Sequence, residues 1–318
     1  MTRTACLIFN PVARQGDADQ DLEKIKTLLD PKIDLDIKLT TKEVDAGQLA
    51  REAVARGVEA VIASGGDGTL SAAAEALVET DIPLGIISRG TANAFASALG
   101  IPDVIEEACQ MILDGKTRVV DAAVCNDKPM VLLAGIGFEA ETVKDTSRAS
   151  KNRWGMLAYV LAGIKQLADL EAFEATIETE DKIIEVTATA ITVANAAPPS
   201  SVLAQGPAGI IVDDGLLDLT LVAPNSRAGA VAASYHLLQT AFSNEAAERD
   251  DIGYLRAKEI KVTTNPPQQV VLDGELIGKT PVSIKCIPQC LTIFVPMTKA
   301  ERPAEKLAGL PELKVEDK

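Results

Sequence analysis

Residues 61–70 read Val61-Ile62-Ala63-Ser64-Gly65-Gly66-Asp67-Gly68-Thr69-Leu70. An apolar run that enters a cluster of glycines and leaves as a helix can hold phosphate. The glycines permit positive φ and let an anion approach main-chain N–H groups. A helix beginning near Leu70 aims its partial positive charge at the same spot. Asp67 has no place in a purely anionic cradle unless a cation lies beside it, and Mg2+ bridging the phosphates of ATP supplies one. The plain alternative is a tight strand-to-helix turn without a ligand, and four such residues in succession after a buried strand weigh against it. The loop is neither a G-x-x-x-x-G-K-[ST] phosphate loop nor a G-x-G-x-x-G dinucleotide fingerprint.

Other chemistry-bearing residues are few. The single histidine, His236, sits in the helical apolar stretch Tyr235-His236-Leu237-Leu238 and reads as a packing or surface residue. Two-histidine metal motifs are therefore excluded, and if the protein is an enzyme that uses a general base, that base reads as a carboxylate. The five cysteines, Cys6, Cys109, Cys125, Cys286 and Cys290, are odd in number and scattered. They read as buried, reduced thiols of a cytosolic protein rather than a zinc site. The stripe Trp154-Gly155-Met156-Leu157-Ala158-Tyr159-Val160-Leu161 suits a core, with a lipid pocket or bilayer contact as the rarer use.

Regular elements must position these residues. The first third alternates strand and helix: Leu7–Phe9, then a helix over Gln20–Leu29, a strand over Ile33–Leu39, a helix over Ala46–Arg56 closed by Gly57, and a strand over Ala60–Ala63. A helix over Leu70–Val78 follows, then a strand over Leu84–Ile87, a second glycine loop opening a helix over Gly90–Leu99, and a helix over Val104–Leu113. Repeated βα units predict a doubly wound α/β nucleotide-binding domain with its ligand beyond the carboxyl ends of the strands. From Thr117 the texture becomes β-rich, with strands expected over 118–124, 130–133, 175–178, 183–193, 216–222, 260–264, 269–272 and 291–295. Helices are expected over 154–168 and 228–242. This predicts a first domain over 1–118 and a mainly antiparallel β domain over 119–296, with the charged tail 297–318 packing back on the first domain.

Composition agrees with a globular protein that carries enough apolar mass for two cores: 318 residues, nearly half apolar, with few aromatics. The net charge of −15 argues against nucleic acid and against strong attachment to an anionic membrane, so any bilayer contact is expected to be local and transient. The N-terminus reads as a first strand rather than a signal peptide. No uninterrupted apolar run reaches the roughly 18–20 residues of a spanning helix.

Gly65-Gly66-Asp67-Gly68-Thr69 resembles the nucleotide loop shared by diacylglycerol kinases, sphingosine kinases, NAD kinases and phosphofructokinases. Further segments narrow the resemblance to bacterial YegS/BmrU-like lipid kinases with a diacylglycerol kinase catalytic domain. Asn10-Pro11-Val12-Ala13-Arg14-Gln15-Gly16, Gly90-Thr91-Ala92-Asn93-Ala94-Phe95-Ala96 and Asp273-Gly274-Glu275 resemble three motifs of that branch. Gly135-Ile136-Gly137-Phe138-Glu139-Ala140 and Asp214-Gly215-Leu216-Leu217-Asp218 match two more.

The resemblance implies ATP and Mg2+ in a cleft between the domains. Gly65, Gly66, Asp67, Gly68, Thr69, Leu70, Ser71, Ala72, Gly90 and Thr91 would hold the phosphates, with Thr40 near the nucleotide and Asn10, Arg14 and Asn93 in support. Glu275 would take the proton of a lipid hydroxyl with Asp273 beside it, although Asp-Gly is also a hairpin turn. Asp214, with main-chain carbonyls near Ile211 and Leu216, would form a second cation site, or a plain turn. The chain departs from the family at Ala72 and Ala94, where carboxylates are usual, and at Ser88-Arg89, where Pro is usual. Glu75 could stand in for the first of these carboxylates, and Arg89 could add a phosphate contact. The implied protein is a cytoplasmic lipid kinase, peripheral at the membrane; monomer and homodimer both stay open. An NAD kinase-like enzyme and a non-catalytic lipid or nucleotide sensor are the alternatives.

Overall fold

The computed structural model describes residues 3–13, 17–137, 172–198, 201–204, 206, 209–243, 245–296, 305–311 and 313–317. The expected helix over 154–168, the Phe138-Glu139-Ala140 part of its motif and Arg14 lie outside them. Two compact units emerge. The first runs to Ala122 and resumes at Pro288; the second runs from Ala123 to Ile287 and takes in the C-terminal residues.

The first unit is built on β1 (Arg3–Phe9), β2 (Ile33–Leu39), β3 (Ala60–Gly65) and β4 (Thr80–Ser88). They lie parallel in the order β2-β1-β3-β4. Residues Ala5 to Phe9 are all buried, as a central parallel strand covered on both faces requires. Successive side chains leave a strand on opposite faces. Ala5, Leu7 and Phe9 therefore meet α1 (Ala18–Leu29) and α5 (Ile105–Asp114) through Ile25, Leu29, Cys109 and Ile112. Each Leu, Ile and Phe among them contributes ~1.5–3 kcal/mol over leaving it in water. The opposite face carries α2 (Ala46–Ala55) and α3 (Asp67–Glu75), which pack on each other. This is the doubly wound arrangement expected from the βα repeats. A short α4 (Ala94–Ala98) follows the second glycine loop.

β5 (Thr117–Cys125) leads into the second unit, where it pairs with β6 (Lys128–Met130). One sheet there contains β8 (Phe173–Glu178), β9 (Lys182–Ala188), β13 (Glu259–Asn265) and the start of β16 (Val282–Phe294), with β17 (Lys314–Asp317) on the edge of β9. The other is fully antiparallel. Its order is β12 (Ile252–Ala257), β11 (Leu217–Val222), β10 (Ala190–Ala194), β7 (Leu133–Gly137), β14 (Gln269–Leu272) and β15 (Glu275–Lys279). Ile136, Val193, Leu219 and Leu272 from this sheet share one core with Ile177, Ile184, Val262 and Ile284 from the first. The unit is an antiparallel β sandwich. α6 (Arg227–Ser243) lays Ala233 and Leu237 against Val222, Ile252 and Tyr254.

Several expectations change. The apolar run 183–193 is two strands, because the chain leaves one sheet and enters the other at Thr189, whose N–H donates to Val222 O at 2.8 Å. Residues 130–133 are the junction of β6 and β7 rather than a strand. The last residues of β16 belong to the first unit, where Leu291 and Ile293 pair parallel with β4. The described tail does not return to the first unit. Lys306 pairs with Tyr254, Leu310 fills the space beside Gly253, where a Cβ would lie 2.5 Å from Leu310 Cδ1, and β17 pairs with β9. Such pairings join residues far apart in sequence, so local periodicity does not reveal them. Among the described residues no helix is long and apolar enough to cross a membrane.

Candidate active site

The first glycine loop is the start of a helix. α3 begins at Asp67, three residues earlier than expected, with Gly66 as an N-cap that offers no side-chain hydrogen bond. The cap thus leaves the first N–H groups of the helix for an outside acceptor. None of Gly65, Gly66, Gly68 and Gly90 has positive φ, so the glycines serve close approach rather than unusual backbone. A Cβ on Gly65 would lie 2.7 Å from the Thr69 side chain, and one on Gly90 would lie 2.7 Å from Gly66 Cα and 2.8 Å from Asn93 Oδ1. The two glycine loops therefore touch. Gly68 meets nothing within 4 Å and faces open space.

Hydrogen bonds lock three loop ends together. Asn10 donates its backbone N–H to Ser64 O at 2.9 Å and its Nδ2 to Thr69 Oγ1 at 2.8 Å. Asn93, at φ 51°, accepts from Gly90 N through Oδ1 at 2.9 Å. Asp67 Oδ1 accepts from Phe95 N at 3.2 Å, which leaves its second oxygen for a cation. A cleft of about 360 Å3 opens beside these loops, lined among others by Asn10, Thr40, Gly66, Asp67, Gly68, Thr69 and Ala72. Leu70 and Ser71 are buried and do not line it, and Thr91 is exposed. Uncapped N–H donors, a carboxylate with a spare oxygen and an uncrowded glycine form a donor set that fits the phosphates of Mg-ATP.

Two residues of this region behave otherwise than expected. Arg89 is no phosphate contact: its side chain is fully buried, with Nε donating to Asp21 Oδ2 at 2.9 Å and Nη1 to Asn10 O at 2.8 Å. Its guanidinium lies 4.2 Å from the centre of the Phe9 ring. It pins the Asn10 loop to the end of β4. Glu75 does not line the cleft, whereas Ala72 does, so the missing carboxylate is not replaced there. Sequence reasoning overlooked Asp45, which caps α2 by accepting from Gln48 N at 2.7 Å and also lines the cleft. Its place just before a helix was the available signal.

In the second unit Asp273 and Gly274, at φ 48° and 90°, make the two-residue turn between β14 and β15. The Asp273 carboxylate accepts from Val131, Leu132 and Leu133 N–H at 2.8, 3.0 and 2.8 Å. Burial pushes this carboxyl up to about 6, with the charge of Glu275 adding to the rise and the three donors opposing it. Asp273 thus fixes the hairpin to the strand beside it. Glu275, the first residue of β15, is exposed and is the carboxylate of the pair that faces solvent.

The expected cation site has a different occupant. Asp214 Oδ1 accepts from Leu216 N at 3.2 Å, and Asp214 Oδ2 pairs with Arg256 Nη2. Arg256 Nε also donates to the buried Asp218 at 3.1 Å. Burial pushes the Asp218 carboxyl up to about 7, against the pull of Arg256. Among the described residues no three His, Cys, Asp or Glu side chains converge as a metal cluster. Both Asp214 oxygens are committed, so the loop at Ile211, Asp214 and Leu216 does not fit a divalent ion.

A parallel nucleotide-type domain joined to an antiparallel sandwich, with a Gly-Gly-Asp-Gly helix start in the first and an Asp-Gly-Glu hairpin in the second, defines a class of small-molecule kinase folds. Residues 4–125 match the diacylglycerol kinase catalytic domain, and residues 132–295 match the YegS C-terminal NAD kinase beta sandwich-like domain. An uncharacterized protein of Synechocystis sp. is 48% identical over 93% of this chain and 71% of its own length. A "probable lipid kinase YegS-like" protein of Xanthomonas oryzae pv. oryzae is 32% identical over 86% of this chain and 91% of its own. The crystal structure of a diacylglycerol kinase from Bacillus anthracis superposes with a TM-score of 0.71 at 26% identity, covering 92% of this chain and 97% of that one. The chain belongs to the diacylglycerol kinase and YegS-like lipid kinase family.

Proposed function

We propose that the protein transfers the γ-phosphate of ATP to the hydroxyl of a lipid, diacylglycerol or a relative of it, as a cytoplasmic enzyme that meets the bilayer peripherally. The observation that carries this reading is the uncapped start of α3, where the Gly66 cap leaves helix N–H groups beside Asp67 and an open cleft. Phosphoryl transfer depends on positioning and charge neutralisation more than on covalent help. The N–H groups of Asp67 and Gly68 would hold the phosphates, Thr69 being kept in place by Asn10. Asp67, through its free oxygen, would hold Mg2+, which when bound offsets the phosphate charge. Thr40 and Asp45 also line the cleft and would contact the nucleoside. Glu275 would accept the proton of the lipid hydroxyl, and Asp273 would act only by holding the hairpin that carries it.

The test is transfer of labelled γ-phosphate to a mixed lipid extract in Mg2+, run beside Asp67→Ala and Glu275→Ala. A labelled lipid is expected with the wild type, and each variant is expected to lose at least ~100-fold in rate. No labelled lipid across the extract, or robust phosphorylation of NAD instead, would sink the proposal.

A further inference from the structure

The loop at Asp214 already has a cation of its own. Arg256, on β12, stands directly opposite Asp218, on β11, in antiparallel register. Its guanidinium spans two carboxylates, Nε to Asp218 Oδ1 at 3.1 Å and Nη2 to Asp214 Oδ2. The Asp218 end of the bridge is interior, with the side chains of Arg256 and Asp218 10% and 0% exposed, while Asp214 lies at the surface with its side chain 24% exposed. Asp214 spends its remaining oxygen on Leu216 N, which closes the turn on itself. The backbone N–H of Arg256 donates to Glu305 Oε1 at 3.1 Å, which ties this point of β12 to the C-terminal segment.

A divalent cation in such a turn wants six or more oxygen ligands with free lone pairs. Here both oxygens of the carboxylate that would lead the set are engaged, and a second positive charge would sit directly against a guanidinium. The planar fork of arginine, by contrast, matches two carboxylates at once. We propose that Arg256 is the resident cation of the 211–218 turn, taking the place of a divalent metal and making the second unit's fold independent of metal.

Thermal unfolding of the full chain without nucleotide tests this. The wild type is expected to melt at the same temperature in EDTA and in millimolar Mg2+ or Ca2+. Arg256→Met leaves two carboxylates facing each other and is expected to melt roughly 5–10 °C lower in EDTA. It should recover part of that loss in Ca2+ or Mg2+, because the carboxylates are then free to take an ion. Arg256→Lys, which keeps the charge, should stay indifferent to metal. The proposal is overturned if the wild type gains several degrees from Mg2+ or Ca2+ and Asp214→Asn abolishes the gain. That comparison needs no Arg256 variant to fold. Equal melting of Arg256→Met and wild type in EDTA overturns it as well.

Discussion

Asp273 and Glu275 stand two positions apart and are held in opposite conditions. Asp273 is drawn under the hairpin by three main-chain donors, while Glu275 projects at the start of an edge strand. Because burial raises the folded-state value of Asp273 to about 6 from 3.8, the folded protein holds a proton there that the unfolded chain releases. Its contribution to stability is therefore complete below about pH 4 and is lost as pH rises through about 6. Melting curves between pH 4 and 7 should show the wild type losing on the order of 2 kcal/mol that Asp273→Asn does not lose. A flat difference between the two proteins across that range would refute this assignment. The motif and its turn were legible in sequence, since Asp-Gly announces a hairpin. The partners of Asp273 were not, because Val131, Leu132 and Leu133 lie some 140 positions away. Arg89 was misjudged for the same reason: a lone arginine beside a glycine loop reads as an anion contact until Asp21 and Asn10 close around it.

At the scale of elements, the two glycine loops act as one because neither has a side chain where they meet. Gly90→Ala places a Cβ into Gly66 and Asn93 and should force the loops apart. We expect roughly a 10- to 100-fold loss in kcat/KM for ATP with little change in melting temperature. Unchanged kinetics would mean that the contact is incidental. Parallel strands and their helices were readable from apolar runs and capping residues, and β2 over Ile33–Leu39 was located to the residue. The sandwich was less readable. β12, with Arg256 inside it, and the edge strand β15, open on Leu276, carry patterns too short or too mixed to announce strands. The division of 183–193 between two sheets depends on tertiary pairing alone.

Taken whole, the molecule is an acidic protein that keeps every cysteine inside. All five thiols are buried. Burial pushes Cys125 and Cys290 up to about 11 and Cys109 up to about 12. At pH 8 about 0.1% or less of these three is thiolate. A disulfide reagent such as Ellman's should leave the native protein unreacted over hours and titrate five thiols once denaturant is added. Rapid native labelling of Cys109, Cys125 or Cys290 would contradict the packing described.

The two family segments, 4–125 and 132–295, suggest a pair of beads that could be strung separately. The polypeptide does not allow that. The last parallel strand of the first unit is made by Leu291 to Ile293, threaded in after almost the whole sandwich has been laid down. A gene cut at residue 125 encodes a sheet whose β4 margin is bare, a sticky ribbon open to any passing strand. Cutting the chain between the two segments strips the first unit of an edge, because a single strand is common property of both units.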